Sequence, residues 1–280
     1  MPTNGTFGEA LEVCALDPVG SVAAASRIIA ALESPVGNSG QLWRWPETGP
    51  MEALVWAGGN LVLVAPDGKL SPEALEFFVA KAKTWGPRCS SIVGRAELVL
   101  PFWRELKKYW QNPREVRENQ PLLIKKYAAI SGAKDIIPDP EVQPTAPDEI
   151  ELMLPASIAM FTEEMGFSPL RYGANAYREL VASRIAAGHS FRRIEGGRVI
   201  FKAEVGVVAG GVAQLQGIWI APDFRGRGLA KPAIKAVVQQ IQTNIAPTVS
   251  LYVNLSNSKA LKIYRDLGFE QIGIFATVLY

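Results

Sequence analysis

Cysteine is scarce in this chain of 280 residues, with only Cys14 and Cys89. Two thiols cannot build a disulfide scaffold or a cysteine-based structural zinc site. Both are expected to be free and partly buried, as in a reducing, cytoplasmic compartment. Histidine is scarcer still: His189 stands alone, which excludes a metal site built from several histidines, and no metal is expected. Charge of one sign is also lacking. The chain has 29 basic and 27 acidic residues and a net charge of +2, too little for a dedicated nucleic-acid binder. There is no apolar run of about 18 residues or more, so no membrane-spanning helix is expected. The opening "MPTNGTFGEALEVCALDPVG" has neither the basic start nor the apolar stretch of a signal peptide. Apolar material is plentiful, however. At 48% hydrophobic and 20% charged, the chain can bury a sizeable core, and its length suits one large domain or two ordinary ones.

Prolines 138, 140, 144 and 147 fall within residues 131–150 and exclude a continuous helix or central strand there. This places a boundary between an N-terminal domain, 1–132, and a C-terminal domain, 133–280. The N-terminal half reads as an α/β alternation. "LEVCAL" is predicted as a short strand, followed by the helix "DPVGSVAAASRIIAAL" with Asp17 as its cap and Pro18 in its first turn. "MEALVWAGGNLVLVAPD" reads as two strands around a Gly58-Gly59-Asn60 turn. Next come a helix capped by Ser71, the strand "SSIVG", a helix containing Pro101 and the strand "PLLIKKY". The C-terminal half has two helices, "DEIELMLPASIAMFTEE" and "NAYRELVASRIAAG". A three-strand meander follows, turning at Gly196-Gly197 and Gly210-Gly211, then a glycine loop with its helix, the strand "TVSLYVN", the helix "NSKALKIYRDLGF" and the strand "EQIGIFATVLY". The class is α/β (α+β). Ala65-Pro66-Asp67 and Ala221-Pro222-Asp223 both stand between a strand and a helix, a weak echo that suggests a duplicated fold.

The most informative stretch is "DFRGRGLAKPAIKAVVQQIQ" (223–242). Leu229, Ala233, Ile234, Val237, Val238 and Ile241 recur at helical spacing. Two glycines stand where the helix begins, although glycine there costs backbone entropy. The first N–H groups of a helix lack internal partners, and the helix dipole favours an anion beside them. Glycines let a diphosphate approach the backbone, and arginines add charge-assisted hydrogen bonds. A solvated basic turn is the plainer reading of Arg-Gly-Arg-Gly taken alone.

Arg225-Gly226-Arg227-Gly228-Leu229-Ala230 resembles the (Gln/Arg)-x-x-Gly-x-(Gly/Ala) loop of the GNAT N-acetyltransferase superfamily. About thirty residues on, Asn257-x-x-Ala260-x-x-x-Tyr264-x-x-x-Gly268-Phe269 resembles that family's second hallmark. The resemblance covers the chain from about residue 135 to 280, and the whole resembles actinobacterial members with an extra N-terminal domain of uncharacterised function.

It implies a GNAT fold in the C-terminal half, with acetyl-CoA as cosubstrate in a V-shaped gap between "GIWIA" and "SLYVN". The loop residues Arg225, Gly226, Arg227, Gly228, Leu229 and Ala230 would take the pyrophosphate. Ile218, Trp219 and Ile220 would pair with the pantetheine, Asn257 would stand near the cofactor at a helix cap, and Tyr264 would protonate the departing thiolate. Tyr264 shares its helix with Leu261, Ile263 and Leu267, so a plain core role is the competing reading.

The base is less plain. The strand stretch "AQLQG" offers Gln214 and Gln216, which cannot take a proton but can hold a water. Glu204, among apolar neighbours, is expected to have a raised pKa suited to a base. Glu163 and Glu164 are expected to attract a cationic amine, and for each glutamate a structural ion pair is the alternative. The N-terminal half departs from the family pattern. It has "DGKLSPEA" in place of the pyrophosphate loop and Trp103 in place of the tyrosine, so it is expected to be a degenerate GNAT-like repeat without cofactor. The resemblance thus implies transfer of an acetyl group to a primary amine of a protein or small molecule. An aminoglycoside-like thiol precursor is the alternative acceptor, and an acyl-CoA-binding regulatory module the alternative function. Neither nucleic acid nor membrane is an expected partner, and the chain is expected to be a monomer or homodimer.

Overall fold

The computed structural model describes residues 4–34, 40–127 and 136–280. Helices α1 (Asn4–Leu16) and α2 (Val22–Glu33) precede strands β1 (Gln41–Trp45), β2 (Ala53–Ala57) and β3 (Asn60–Val64). Then come α3 (Pro72–Trp85), β4 (Ser91–Arg95), α4 (Ala96–Leu106) and β5 (Glu115–Lys126). The second half runs β6 (Gln143–Pro144), α5 (Ile150–Met165), α6 (Ala174–Ala186), β7 (Ser190–Glu195), β8 (Arg198–Ala209), β9 (Val212–Ile220), α7 (Ala230–Asn244), β10 (Thr248–Tyr252), α8 (Ser258–Asp266) and β11 (Glu270–Leu279). "LEVCAL", expected as a strand, lies in α1. Its apolar residues continue a helical series with Phe7 and Ala10 that packs on α2 through Val13 and Cys14. Asp17 does not cap α2, whose N-cap is Ser21.

Eleven strands form one sheet in the order β1-β2-β3-β4-β11-β5-β10-β9-β8-β7-β6. The two halves repeat one unit. β3 and β4 run parallel, joined through α3, and β9 and β10 run parallel, joined through α7. Their closing strands are exchanged. β5, from the N-terminal half, lies between β11 and β10, and the C-terminal β11 lies between β4 and β5. The expected boundary between residues 132 and 133 falls outside the described residues.

Burial follows from the alternation of side chains along these shared strands. Ala276 and Val278 of β11 join the α3–α4 core, and Leu123 of β5 joins the α7–α8 core. Phe275, Leu122 and Ile124 point the other way, into the core under α1 and α2. Asp17, in the α1–α2 turn, receives two hydrogen bonds of 2.8 Å from Arg95 at the end of β4. Arg95 also donates to the carbonyl of Ile272 in β11. The covering helices and both halves of the sheet are therefore joined at one point. Cys14 and Cys89 are free and buried, and burial pushes each thiol up to about 11.

Candidate active site

β9 and β10 pair over three rungs, ending at Gln214–Ser250. Beyond that rung β9 follows β8 as far as Ile220, while β10 stays with β5. The departure has a local cause. Lys202 and Glu204 of β8, two residues apart, face Trp219 and Gln216 of β9, three apart, so β9 carries an extra residue. Gly217 stands at this bulge with φ +57°, and a Cβ there would come within 3.4 Å of Lys202 Nζ, Glu204 Oε2 and Met160 Cε. The parted strands open a cleft of about 720 Å³ lined by Gly217, Ile218, Trp219 and Ile220 on one side and by Tyr252, Asn254, Asn257 and Tyr264 on the other.

Beneath the bulge lies a buried ionic group. Lys202 is 0% exposed and Glu204 2%. Lys202 Nζ lies 2.5 Å from Glu204 Oε1, and Arg184 of α6 donates to Glu204 Oε2. Lys202 Nζ also reaches the carbonyl of Gly217 at 3.5 Å. Burial alone would push the Glu204 carboxyl up, but Lys202 and Arg184 outweigh it and hold the group below its ordinary range. The expectation of a raised pKa is therefore corrected. Glu204 is an ionised member of a buried network that supports the bulge, and it does not line the cleft. Desolvation pushes Lys202 down.

At the mouth, Gly226 and Gly228 have φ +77° and +81°, and nothing lies within 4 Å of where a Cβ would stand on either. Helix α7 starts after Leu229 with no side-chain cap. The N–H groups of residues 226–230 meet no acceptor among the described residues. This is the arrangement an anion needs: open donors, a helix start and no side chain in the way. The two arginines divide the work differently from the sequence expectation. Arg225 donates to the Ile220 carbonyl at 2.9 Å and, through both Nη atoms, to Glu163 of α5 at 2.8 and 2.7 Å. Trp219 Nε1 adds a third bond to Glu163 at 3.2 Å. Arg225 thus fastens the loop to α5, and Glu163 is engaged rather than open to an amine. Arg227 lies over the Phe224 ring at 4.9 Å and has no ion pair among the described residues. With Gly228 and Leu229 it lines a second cleft of about 480 Å³, while Arg225 and Ala230 line the first.

Asn257 caps α8 by accepting from the Ala260 N–H at 3.1 Å, and its residue lines the cleft. About two helix turns further along, Tyr264 also lines the cleft. It is 7% exposed, packs edge-on against Phe269 at 5.7 Å, and burial pushes its hydroxyl up to about 12. The phenol therefore stays protonated across the physiological range. Glu164 lines the cleft with its side chain 55% exposed.

The N-terminal counterpart is closed. β3 and β4 also pair over three rungs, ending at Val62–Val93, and one residue further on a Cβ on Gly94 would stand 3.1 Å from the Leu63 carbonyl, so these strands stay close just past their last rung. The start of α3 is satisfied from within: Ser71 Oγ accepts from the Ala74 N–H at 3.1 Å and Pro72 opens the helix. Trp103 of α4 packs on Tyr280. The sequence reading missed other residues of the open cleft, namely Ser91, Arg117, Gln120 and Thr277 from β4, β5 and β11. Arg117 and Gln120 are polar residues running into an apolar strand end, which is a weak signal. Lys202 gave a clearer one, as a charge two residues from Glu204 in an apolar strand.

The fold is that of two GNAT-like units in tandem, and the open cleft lies in the second. A tandem GNAT protein from the clavulanic acid biosynthesis pathway superposes with a TM-score of 0.61 over 99% of this chain and 95% of that one, at 12% identity. Residues 161–269 match the acetyltransferase (GNAT) family, and residues 40–153 match a domain of unknown function, DUF4081. The match to the GNAT family lies wholly within the C-terminal half of the chain. Over 60 residues the chain is 35% identical to an uncharacterized N-acetyltransferase of Methanocaldococcus jannaschii, covering 21% of this chain and 26% of that relative. Over 53 residues it is 42% identical to a mycothiol acetyltransferase of Corynebacterium aurimucosum, covering 19% and 17%. The chain thus spans about a quarter or less of the length of these curated relatives.

Proposed function

We propose that the chain is an acetyl-CoA-dependent N-acetyltransferase that transfers the acetyl group to a primary amine by direct attack. The observation that carries this reading is the β9–β10 gap, which has an uncapped helix start with open N–H groups at its mouth and Tyr264 on its wall. Bound acetyl-CoA supplies the thioester. Residues 226–230 hold its diphosphate with Arg227, and the freed edge of Ile218–Ile220 pairs with its amide-bearing arm. The turned backbone at Gly217–Ile218, braced by Lys202, directs an N–H at the carbonyl oxygen as charge develops there. Tyr264 gives its proton to the departing sulfur. Gln216 lines the wall where a carboxylate would be the direct base, and glutamine cannot take a proton. The proton of the amine therefore leaves through water toward Glu164. The lack of a carboxylate on β9 is also what favours the second reading, a module that binds acyl-CoA without turnover.

Release of free thiol from acetyl-CoA, measured across a panel of amines and peptides, separates the two readings. Transfer predicts amine-dependent thiol release with a matching +42 Da product (the mass of an added acetyl group, about 42). Tight acetyl-CoA binding with no release for any amine would favour the binding module.

A further inference from the structure

The cleft continues past the reacting centre. From Gly217 its floor crosses Tyr252 of β10 to Gln120 and Arg117 of β5 and Thr277 of β11, so the N-terminal half supplies the far wall. Gln120 is locked in place. Its Oε1 accepts from Thr277 Oγ1 at 2.7 Å, and its Nε2 donates to Asn254 Oδ1 at 2.9 Å.

Arg117, whose Cα faces that of Thr277, is not locked in this way. Its side chain is only 14% exposed, yet among the described residues it makes a single side-chain hydrogen bond, from Nη2 to Glu115 at 2.9 Å. Nη1 forms an ion pair with Glu164 at 3.8 Å, beyond hydrogen-bond range, and among the described residues the buried Nε has no acceptor. A guanidinium has five N–H donors in a rigid fork, and buried donors are as a rule satisfied. An arginine that uses so few of them on the wall of a cleft is shaped for a ligand with paired oxygens.

Glu164 is the complement. It lines the same cleft, with Oε1 3.8 Å from Arg117 Nη1, and its charge acts on Arg117, Tyr252 and Lys202. The bulge at Gly217, the Glu164 carboxylate and the Arg117 guanidinium line the same cleft, the last two 3.8 Å apart. An anion and a cation 3.8 Å apart match the spacing of an ammonium and a carboxylate carried on one carbon.

We propose that the acceptor is a small amine that also carries a carboxylate, an amino-acid-like zwitterion whose ammonium meets Glu164 and whose carboxylate takes the fork of Arg117. This rests on the acetyl-transfer reading and deepens it. The N–C bond forms as the C–S bond breaks. Of the two protons the nitrogen loses, one is balanced by the new thiol and the other goes to solvent, and the carboxylate leaves unchanged on the N-acetyl product. The N-terminal half then has a role without binding cofactor, which is to select the acceptor.

The test uses the full chain and acetyl-CoA with α-amino acids, their carboxamides and the corresponding decarboxylated amines, scored by thiol release. For the best acceptor the acid should exceed its amide about 10- to 100-fold in kcat/KM, the worth of charged hydrogen bonds lost on neutralising the group. Arg117→Gln should abolish that preference by raising the acid's KM while acetyl-CoA affinity holds, and Arg117→Lys should restore part of it. Amides or simple amines used as well as acids by the wild type would overturn the proposal, and so would a folded Arg117→Gln protein that keeps the preference. The wild-type comparison decides alone if the variant does not fold. If acetyl-CoA binds but no amine releases thiol, the transfer reading fails by itself. Calorimetric titration of the same acids and amides in the presence of CoA then judges the Arg117 site separately, and binding of neither, or of both equally, rejects it.

Discussion

Tyr264 needs only its ring for packing, so its hydroxyl can be tested apart from the core. Tyr264→Phe keeps the edge-on contact with Phe269 and removes the proton. The account predicts a fall in kcat of ~10²–10⁴-fold with little change in acetyl-CoA affinity. A near-normal kcat with chemistry rate-limiting would leave Tyr264 as packing. Because burial pushes its hydroxyl up to about 12, the pH–rate profile should show no fall near 10 where an ordinary tyrosine ionises. Glu204 carries a prediction of the opposite kind. Its folded pKa lies below the unfolded value, so its contribution is complete above the ordinary carboxylate range and is lost as pH falls through the folded value. The stability gap between wild type and Glu204→Gln, from urea melts at several pH values, should therefore be widest near neutrality and shrink in acid. A gap that grows as pH falls would mean that Lys202 and Arg184 do not hold this carboxylate charged.

The elements are joined in a way that neither half could accomplish alone. β5 and β11 each lie between strands of the other half, and both put apolar residues on both faces. A chain ending at residue 269 lacks β11, which exposes the edges of β4 and β5 and empties the places of Phe275, Ala276 and Val278. It should lose the cooperative melt of both halves, not of the second only. An N-terminal half that melts unchanged without β11 would contradict the exchange. Much of each element was legible beforehand. The strand–loop–helix order around 223–242, the turns at Gly58-Gly59 and Gly210-Gly211, the Ser71 cap and the Asn257 cap all rest on local rules, and local rules are read from neighbouring residues. The exchange was not legible, because a strand's sequence does not name its hydrogen-bond partner across a hundred residues. α1 departs from the strand expectation because Leu11–Leu16 is a short, mostly apolar run, which periodicity alone assigns neither to strand nor to helix. The loop and Tyr264 were readable through their motifs. The partners of Glu204 and Arg225 depend on α5 and α6 packing over the sheet, a contact no local pattern encodes.

For the whole molecule, one tandem fold treats its two gaps in opposite ways. The second opens at a glycine bulge over a buried ionic brace, and its helix start is left uncapped. In the first, β3 and β4 stay close past their last rung, at Gly94 and Leu63, and the helix start is capped by Ser71. The central claim is that acetyl-CoA binds once, in the second gap, against the open N–H groups of 226–230. Calorimetric titration of acetyl-CoA into the full chain tests it most directly, with Gly228→Val as the partner experiment. At φ +81° a β-branched residue both strains the loop and puts a side chain where the diphosphate must lie. The account predicts one site per chain in the wild type and none in a Gly228→Val protein that melts as the wild type does. Two sites per chain, or affinity unchanged by Gly228→Val, would contradict it.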